Sequence, residues 1–421
     1  VIQTQDGVDW NGEKAYIVVG IAGIGEEQID ILGALFDQIE HEEDAKRLHK
    51  MDDVNQIYKT LNKIAVHFGA GNVGRGFIAP LLKENGYRVV FVDSSNDIVE
   101  KINNQKEYKV TSYDKESTTD NLVEKIRALH TDEDELLKEI LNKASLVTTS
   151  VGPNNLPLIA NLLDKHIDTK VDFIAFENMY RASTYVLEQK DSLHKKIQEH
   201  DVVVDKIIPL QKIENLDLVV ESFGSIVFDQ GQYIDKLIEL SEVVSKGDYE
   251  KEFTKKLWLL NGLHVCLAYY GLSKGTEYIH ELYEQKEHEE FIKKINSEYL
   301  KAYTLYSNQD IEEVLEYQNQ INLRFSSKKS KDQNIRIARN PEIKFSKSER
   351  VHGPLKYLIK NGEEVSAMKE VLEIIFNNEF KEVDGFIDFT KEHLSDGKEN
   401  FYSNYWKEDK ALDKFSSNLG K

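Results

Sequence analysis

Ile64-Ala-Val-His-Phe68 runs directly into Gly69-Ala-Gly71-Asn-Val-Gly74-Arg-Gly76, and a helix-forming stretch with Phe77, Ile78, Leu81 and Leu82 follows. A short apolar strand, the spacing G-x-G-x-x-G and a helix, in that order, leave backbone N–H groups aimed at an anion. Gly69 permits the tight turn, Gly71 lets the backbone approach a pyrophosphate, and Gly74 lets the helix pack closely on the strand. Ala70, Asn72 and Val73 complete the loop, and Arg75 offers a charged contact beside it. The next strand, Arg88–Asp93, ends on an acid 22 residues beyond Gly71. A carboxylate there can bind adenosine ribose hydroxyls and would repel a 2′-phosphate, so NAD is expected rather than NADP.

The alternation continues downstream. Strands are expected at Lys63–Phe68, Arg88–Asp93, Ser145–Ser150 and Val171–Glu177, with helical stretches between them. That pattern predicts a doubly wound parallel α/β sheet of Rossmann type over residues 63–200. Ser145–Ser150 leads into Gly152-Pro153, which places Gly152 at a strand carboxyl end, where such sheets hold ligands. Val202–Val204 and Asp217–Phe223 read as extended, and Glu252 to Phe380 reads as mostly helical, broken by a basic polar segment from Ser326 to Arg350. Residues 201–421 are therefore expected to form a mainly helical substrate and catalytic domain. Residues 1–62 are expected as a small, partial α/β segment. In it, Ala15–Ala22 is strand-like, Ile29 to Ile39 shows helical spacing, and Glu42–Lys50 and Asp52–Leu61 read as short helices.

The chemistry around such a cofactor narrows with composition. Acidic residues outnumber basic ones 74 to 54, a net charge of −20, which disfavours a nucleic-acid partner. One cysteine, Cys266, allows no intrachain disulfide, and twelve scattered histidines give no paired zinc-ligand spacing. No run of about 18 apolar residues and no signal-peptide pattern is evident, so a cytoplasmic protein without a membrane span is expected. Removing a hydride from an alcohol carbon then requires a metal-free base and donors for the developing alkoxide.

Lys256-Leu-Trp-Leu-Leu-Asn261-Gly-Leu-His264 carries suitable groups. On an α-helix, Asn261 and His264 would stand at about 140° and 80° from Lys256, on one broad side. A lysine in a dry site can act as base, and an asparagine amide can donate to an oxyanion. Spacing alone favours a solvated lysine and two helix-end polar residues. Asn178, after the strand that begins at Val171, could reach a substrate oxygen or could simply initiate a turn.

Taken in order, these residues resemble a known family. The run His67–Phe77, Thr148–Pro153, Glu177-Asn-Met179, Val204–Pro209, Lys256-x4-Asn261-x2-His264, Arg336-x2-Arg339-x-Pro341 and Arg350-x3-Pro354-Leu355 is similar to the polyol-specific long-chain dehydrogenases. Within them it is nearest the branch acting on mannitol 1-phosphate. The resemblance covers residues 63–421, less clearly beyond Phe380. It implies Lys256 as general base, Asn178 and Asn261 as the oxyanion site, and His264 as the residue that orients substrate. The reaction it implies is metal-free interconversion of D-mannitol 1-phosphate and D-fructose 6-phosphate with NAD. Lys206 and Ile343 depart from the family's usual arginine and basic residue, which bears on phosphate recognition. Arg336, Arg339, Lys344 and Arg350 are the cations that could supply it.

Val8–Ala22 resembles part of the mannitol/fructose-type enzyme IIA domain of the sugar phosphotransferase system. His41 and His49 match no phosphorylated histidine, so the expectation is a functional link to that system rather than phosphotransfer. Two other readings remain at this point. One is a dehydrogenase of an unphosphorylated polyol or sugar acid, and the other is a non-catalytic, phosphotransfer-linked regulatory module.

Overall fold

The computed structural model describes residues 2–18, 20, 57, 59, 63–114, 117–208, 211, 215–232, 238–330, 332–395, 397, 401, 405 and 406. The chain forms two compact units, Val1–Tyr249 and Glu250–Lys421. The first opens with an antiparallel hairpin of β1 (Ile2–Trp10) and β2 (Glu13–Val18). Its turn residues Asn11 and Gly12 have φ of 56° and 90°, the left-handed pair that a two-residue hairpin turn demands. The strand expected at Ala15–Ala22 overlaps the second arm of this hairpin through Val18, and most of its remainder lies outside the described residues. The helices expected at 29–39 and 42–50, and most of the one at 52–61, lie outside the described residues.

The body of the first unit is a six-stranded sheet built from β3 (Ile64–Phe68), β4 (Arg88–Asp93), β7 (Arg127–His130), β8 (Leu146–Thr149), β9 (Val171–Ala175) and β10 (Ile197–Glu199). Its order is β10-β9-β8-β3-β4-β7, with every pair parallel. Counted from β3, that is the 3-2-1-4-5-6 arrangement of a dinucleotide-binding fold. Alternate residues feed two cores. Ile64, Val66, Phe68, Val90 and Val92 face one, while Ala65, Val89 and Phe91 face the other. Burial on both faces explains why these strands read as unbroken apolar runs. Each fully buried Phe or Val contributes about 1.5–3 kcal/mol relative to exposure.

Between β4 and β7 the chain inserts a hairpin of β5 (Glu107–Tyr113) and β6 (Thr118–Glu124), to which β12 (Leu218–Glu221) adds in parallel. β11 (Val202–Asp205), β13 (Ser225–Asp229) and β14 (Val244–Gly247) make a further small sheet. The extended stretches expected near 202 and 217 are β11 and β12. The hairpin was not anticipated, because β6 exposes nearly all of its side chains and carries no alternating pattern.

In the second unit the helix Leu263–Lys274 is buried nearly all round, through Leu263, Val265, Cys266, Leu267, Ala268, Tyr269 and Tyr270. A helix apolar on every face belongs at the centre of its domain. Helices Glu289–Ser307, Asn334–Ala338 and Ser366–Asn377 pack against it. Glu298 ties two of these together by accepting from the N–H groups of Ala367 (2.7 Å) and Met368 (2.8 Å) at a helix start. The basic segment between Ser326 and Arg350 is itself partly helical, at Asn334–Ala338 and Pro341–Lys344. No described helix is long and apolar enough to cross a membrane.

Candidate active site

The glycine loop stands at the switch point of the sheet, between the carboxyl ends of β3 and β8. Gly69 has φ of 98°, and a Cβ there would sit 3.0 Å from the carbonyl oxygen of Ser150, the residue after β8. A Cβ on Gly71 would meet nothing within 4 Å. Gly71 faces a cavity of about 560 Å³, lined also by Gly69, Asp93, Ser94, Ser150 and Val151. Backbone exposed to open space at the second glycine, with an acid at the cavity rim, fits the pyrophosphate and ribose of a dinucleotide. Asp93 is already engaged with the loop: its carboxylate accepts from Ala70 N (2.8 Å) and Ser95 N (2.9 Å). Val73 packs against the core and Ala70 is buried, so the middle of the loop is fixed from behind.

Arg75 departs from expectation. Its side chain is buried, and its guanidinium donates to the carbonyls of Ala70 and Leu216 rather than standing beside the cavity. A buried guanidinium must be given acceptors, and two backbone carbonyls supply them. Arg75 therefore braces the loop, and the phosphate contact expected of it is not made available by this arrangement.

Sequence reasoning also passed over His67. It lies fully buried between the strands, with Nδ1 2.7 Å from Thr148 Oγ1 and Nε2 2.9 Å from Ser150 Oγ. Burial pulls its pKa down to about 3, so the ring is neutral. A Cβ on Gly74 would lie 2.6 Å from its Nε2 and 2.1 Å from Gly69 O. The third glycine is demanded by this close approach.

At the end of β9, Glu177 is buried and accepts from Gly152 N (2.8 Å), which shapes the Gly152-Pro153 turn. Burial outweighs the backbone N–H bonds and lifts the Glu177 carboxyl to about 7. Asn178 follows it and is exposed.

In the second unit, Lys256–Gly262 is a π-helical turn, not the α-helix that the 100° spacing assumed. Bonding from i to i+5 brings Lys256 and Asn261 closer to one face than α geometry would, and such turns recur at functional sites. Gly262 lets the turn pack: a Cβ there would meet Tyr299 Cε1 at 2.5 Å and Arg350 O at 2.6 Å. Tyr299 Oη in turn donates to Arg350 O at 2.9 Å. Arg350 is thus held against the turn that carries Asn261.

His264 stacks on Phe325 (centroids 4.6 Å apart, 18° between planes), and its Nε2 lies 2.9 Å from Asp332 Oδ2. The other oxygen of Asp332 accepts from Arg336 Nη2 at 2.7 Å. Burial alone would raise the Asp332 carboxyl, but His264 and Arg336 hold it at about 2. Nothing in the sequence marked Asp332 except its place four residues before Arg336, inside a basic run.

Lys344 Nζ donates to the carbonyls of Ile337 and Arg339. Burial, followed by the charges of Arg350, Arg339 and Arg336, draws its amine down to about 7. Two of these guanidinium groups have carboxylate partners, Arg336 with Asp332 at 2.7 Å and Arg350 with Glu349 at 2.9 Å. The structure therefore joins His264 and Arg336 through Asp332, and sets Arg336, Arg339 and Arg350 within electrostatic reach of Lys344. Asn178, Gly152, Asp93 and the glycine loop belong to the first unit.

Residues 63–242 match the mannitol dehydrogenase Rossmann domain, and residues 249–384 match the mannitol dehydrogenase C-terminal domain. Similar proteins include mannitol-1-phosphate 5-dehydrogenases of Thermoanaerobacter pseudethanolicus (35% identical, covering 71% of this chain and 81% of that protein) and Clostridium acetobutylicum (36%, 69% and 80%). That of Enterococcus faecalis is 34% identical over 74% of this chain and 86% of its own. Among solved structures, Pseudomonas fluorescens mannitol 2-dehydrogenase in a ternary complex with NAD and D-mannitol has a TM-score of 0.61 at 14% identity, covering 85% of this chain and 90% of its own. A D-sorbitol dehydrogenase has a TM-score of 0.65 at 17% identity, covering 84% and 90%. At such identities these two speak for the fold alone. The two matched domains, in order and over most of the chain, place it in the mannitol dehydrogenase family.

Proposed function

We propose that this chain is an NAD-dependent oxidoreductase that interconverts D-mannitol 1-phosphate and D-fructose 6-phosphate without a metal. The observation that carries the phosphate assignment is the cluster of Arg336, Arg339, Lys344 and Arg350, in which Arg336 shares Asp332 with His264. Guanidinium groups bind phosphate oxygens through charge-assisted hydrogen bonds. The names of the similar proteins, mannitol-1-phosphate 5-dehydrogenases, favour the same substrate.

NAD would lie along Gly69–Gly74 and Gly152, with its adenosine ribose toward Asp93, and would supply the hydride acceptor. The Asp93 carboxylate disfavours a 2′-phosphate. In the direction of oxidation, Lys256 takes the proton of the reacting hydroxyl, and in reduction it returns that proton. Asn261, and Asn178 at the end of β9, donate side-chain N–H groups to the developing alkoxide. His264 orients the polyol through a neighbouring hydroxyl. A functional link to the sugar phosphotransferase system, suggested by the resemblance at Val8–Ala22, would supply an already phosphorylated polyol.

The test is a comparison of kcat/KM for mannitol 1-phosphate and free mannitol. Two charge-assisted phosphate contacts at about 1.5 kcal/mol each correspond to about 100-fold in favour of the ester. Equal or better activity on free mannitol would remove the phosphate assignment and leave an unphosphorylated-polyol dehydrogenase.

A further inference from the structure

Phe176-Glu-Asn-Met-Tyr-Arg181 joins the end of β9 to the helix Ala182–Glu188, and Asn178 lies within this loop. The base of the loop is closed. Ala175 N donates to Ser183 Oγ at 2.8 Å, and Ser183 Oγ donates to His200 O at 2.7 Å. The first half is tied to the neighbouring strand end, because Phe176 N donates to Thr149 O at 2.8 Å and Glu177 accepts from Gly152 N. The second half rests on Arg181.

Arg181 carries backbone strain. Its φ of 44° lies in the left-handed region, which is unfavourable for a residue with a Cβ and persists only where the surroundings over-determine it. A loop that needed only a turn here would be served by glycine or asparagine. Arg181 is held at every part instead. Its backbone N–H donates to Tyr249 Oη at 2.7 Å, and its guanidinium lies 4.5 Å from the centroid of the same ring. Its Nη1 donates to Asp201 Oδ2 and Asp229 Oδ2, each at 3.3 Å. Asp201 is fully buried, and it also accepts from Ser183 N and Thr184 N at 3.1 Å and from Thr184 Oγ1 at 2.6 Å. One carboxylate thus fastens both the arginine and the start of the helix that ends the loop.

From this geometry we infer that Arg181 is a positioning residue that fixes the far end of the loop and so holds Asn178 in place to donate to the developing alkoxide. The inference rests on the reading of Asn178 as an oxyanion donor. Asn178 is exposed, and it sits between Glu177, tied to Gly152 N, and the Arg181 node. An oxyanion donor is effective only when it is preorganised, and on a loop that requires a backbone fixed on both sides. The fold itself does not depend on the guanidinium. Without it Asp201 keeps three donors, and Asp229 still accepts from Gly231 N at 3.3 Å. Neither carboxylate is left without a hydrogen bond, so the sheet should stand while the loop loosens.

The test is a double-mutant cycle on kcat for fructose 6-phosphate reduction, with NADH affinity measured beside it. N178A is expected to lower kcat about 100-fold, the effect of losing one oxyanion donor. R181M is expected to lower kcat about tenfold through misplacement of that donor, with NADH affinity within about twofold of wild type. In the N178A background R181M should change kcat by less than about twofold, because the loop then has no amide to place. A merely structural role would give the same loss in both backgrounds. R181G removes the same side chain and relieves the positive φ, so it folds even where R181M does not, and it is expected to show the same cycle. Unchanged kcat in R181M or R181G, or a tenfold loss that persists beside N178A, overturns the inference. Wild-type kcat in N178A overturns the reading of Asn178 instead, so the two failures are distinguishable.

Discussion

Lys256→Ala should lower kcat by about 10³-fold while NADH binding stays within about twofold of wild type. The magnitude follows from the role. A positioned base contributes about 10²–10⁴-fold by taking the proton as the hydride leaves, and alanine leaves only water to do so. Lys256 belongs to a π turn in the second unit, and the substitution alters none of the cavity-lining residues Gly69, Gly71, Asp93 and Ser150. The turn should survive as well, because Trp258, Leu259, Leu260 and Gly262 are its buried residues. Steady-state kinetics with fructose 6-phosphate and a fluorescence titration with NADH check both halves. Turnover near the wild-type level would remove Lys256 from the mechanism.

Gly74→Ala should abolish measurable NADH binding and destabilise the first unit by about 3 kcal/mol or more. The added methyl would sit 2.1 Å from the carbonyl oxygen of Gly69 and 2.6 Å from His67 Nε2. Neither neighbour can yield cheaply. Gly69 carries the positive φ of the turn, and His67 is buried against Thr148 and Ser150. Gly71→Ala provides the contrast, since its methyl meets open space in the cavity. Thermal unfolding of that variant should match wild type, while its NADH affinity falls about tenfold or more, because the methyl occupies the place of close backbone approach. A stable Gly74→Ala protein with normal NADH affinity would contradict the loop geometry.

What could be read from the sequence was what local spacing dictates. The glycine loop, Asp93 and the parallel strands are legible because turn chemistry and two-sided burial act over a few residues at a time. The π turn at Lys256 was not, because π and α turns share the same side-chain pattern and differ only in which carbonyl each N–H reaches. His67 and Arg75 were missed or misassigned for a different reason. Their partners lie far along the chain: Thr148 is 81 residues from His67, and Leu216 is 141 from Arg75. Asp332 pairs with His264 across a similar gap, and a lone acid in a basic run gives no local sign of it. The β5–β6 hairpin escaped notice because an exposed strand needs no apolar alternation.

The account as a whole stands on hydride transfer to a phosphorylated ketose. Its most direct test supplies D-fructose 6-phosphate with NADH carrying deuterium at the transferable position, and identifies the product by mass spectrometry and NMR. The account predicts D-mannitol 1-phosphate with one deuterium on the former carbonyl carbon, and one NADH consumed for each molecule formed. Failure to consume NADH, or equal consumption with unphosphorylated fructose, would contradict it.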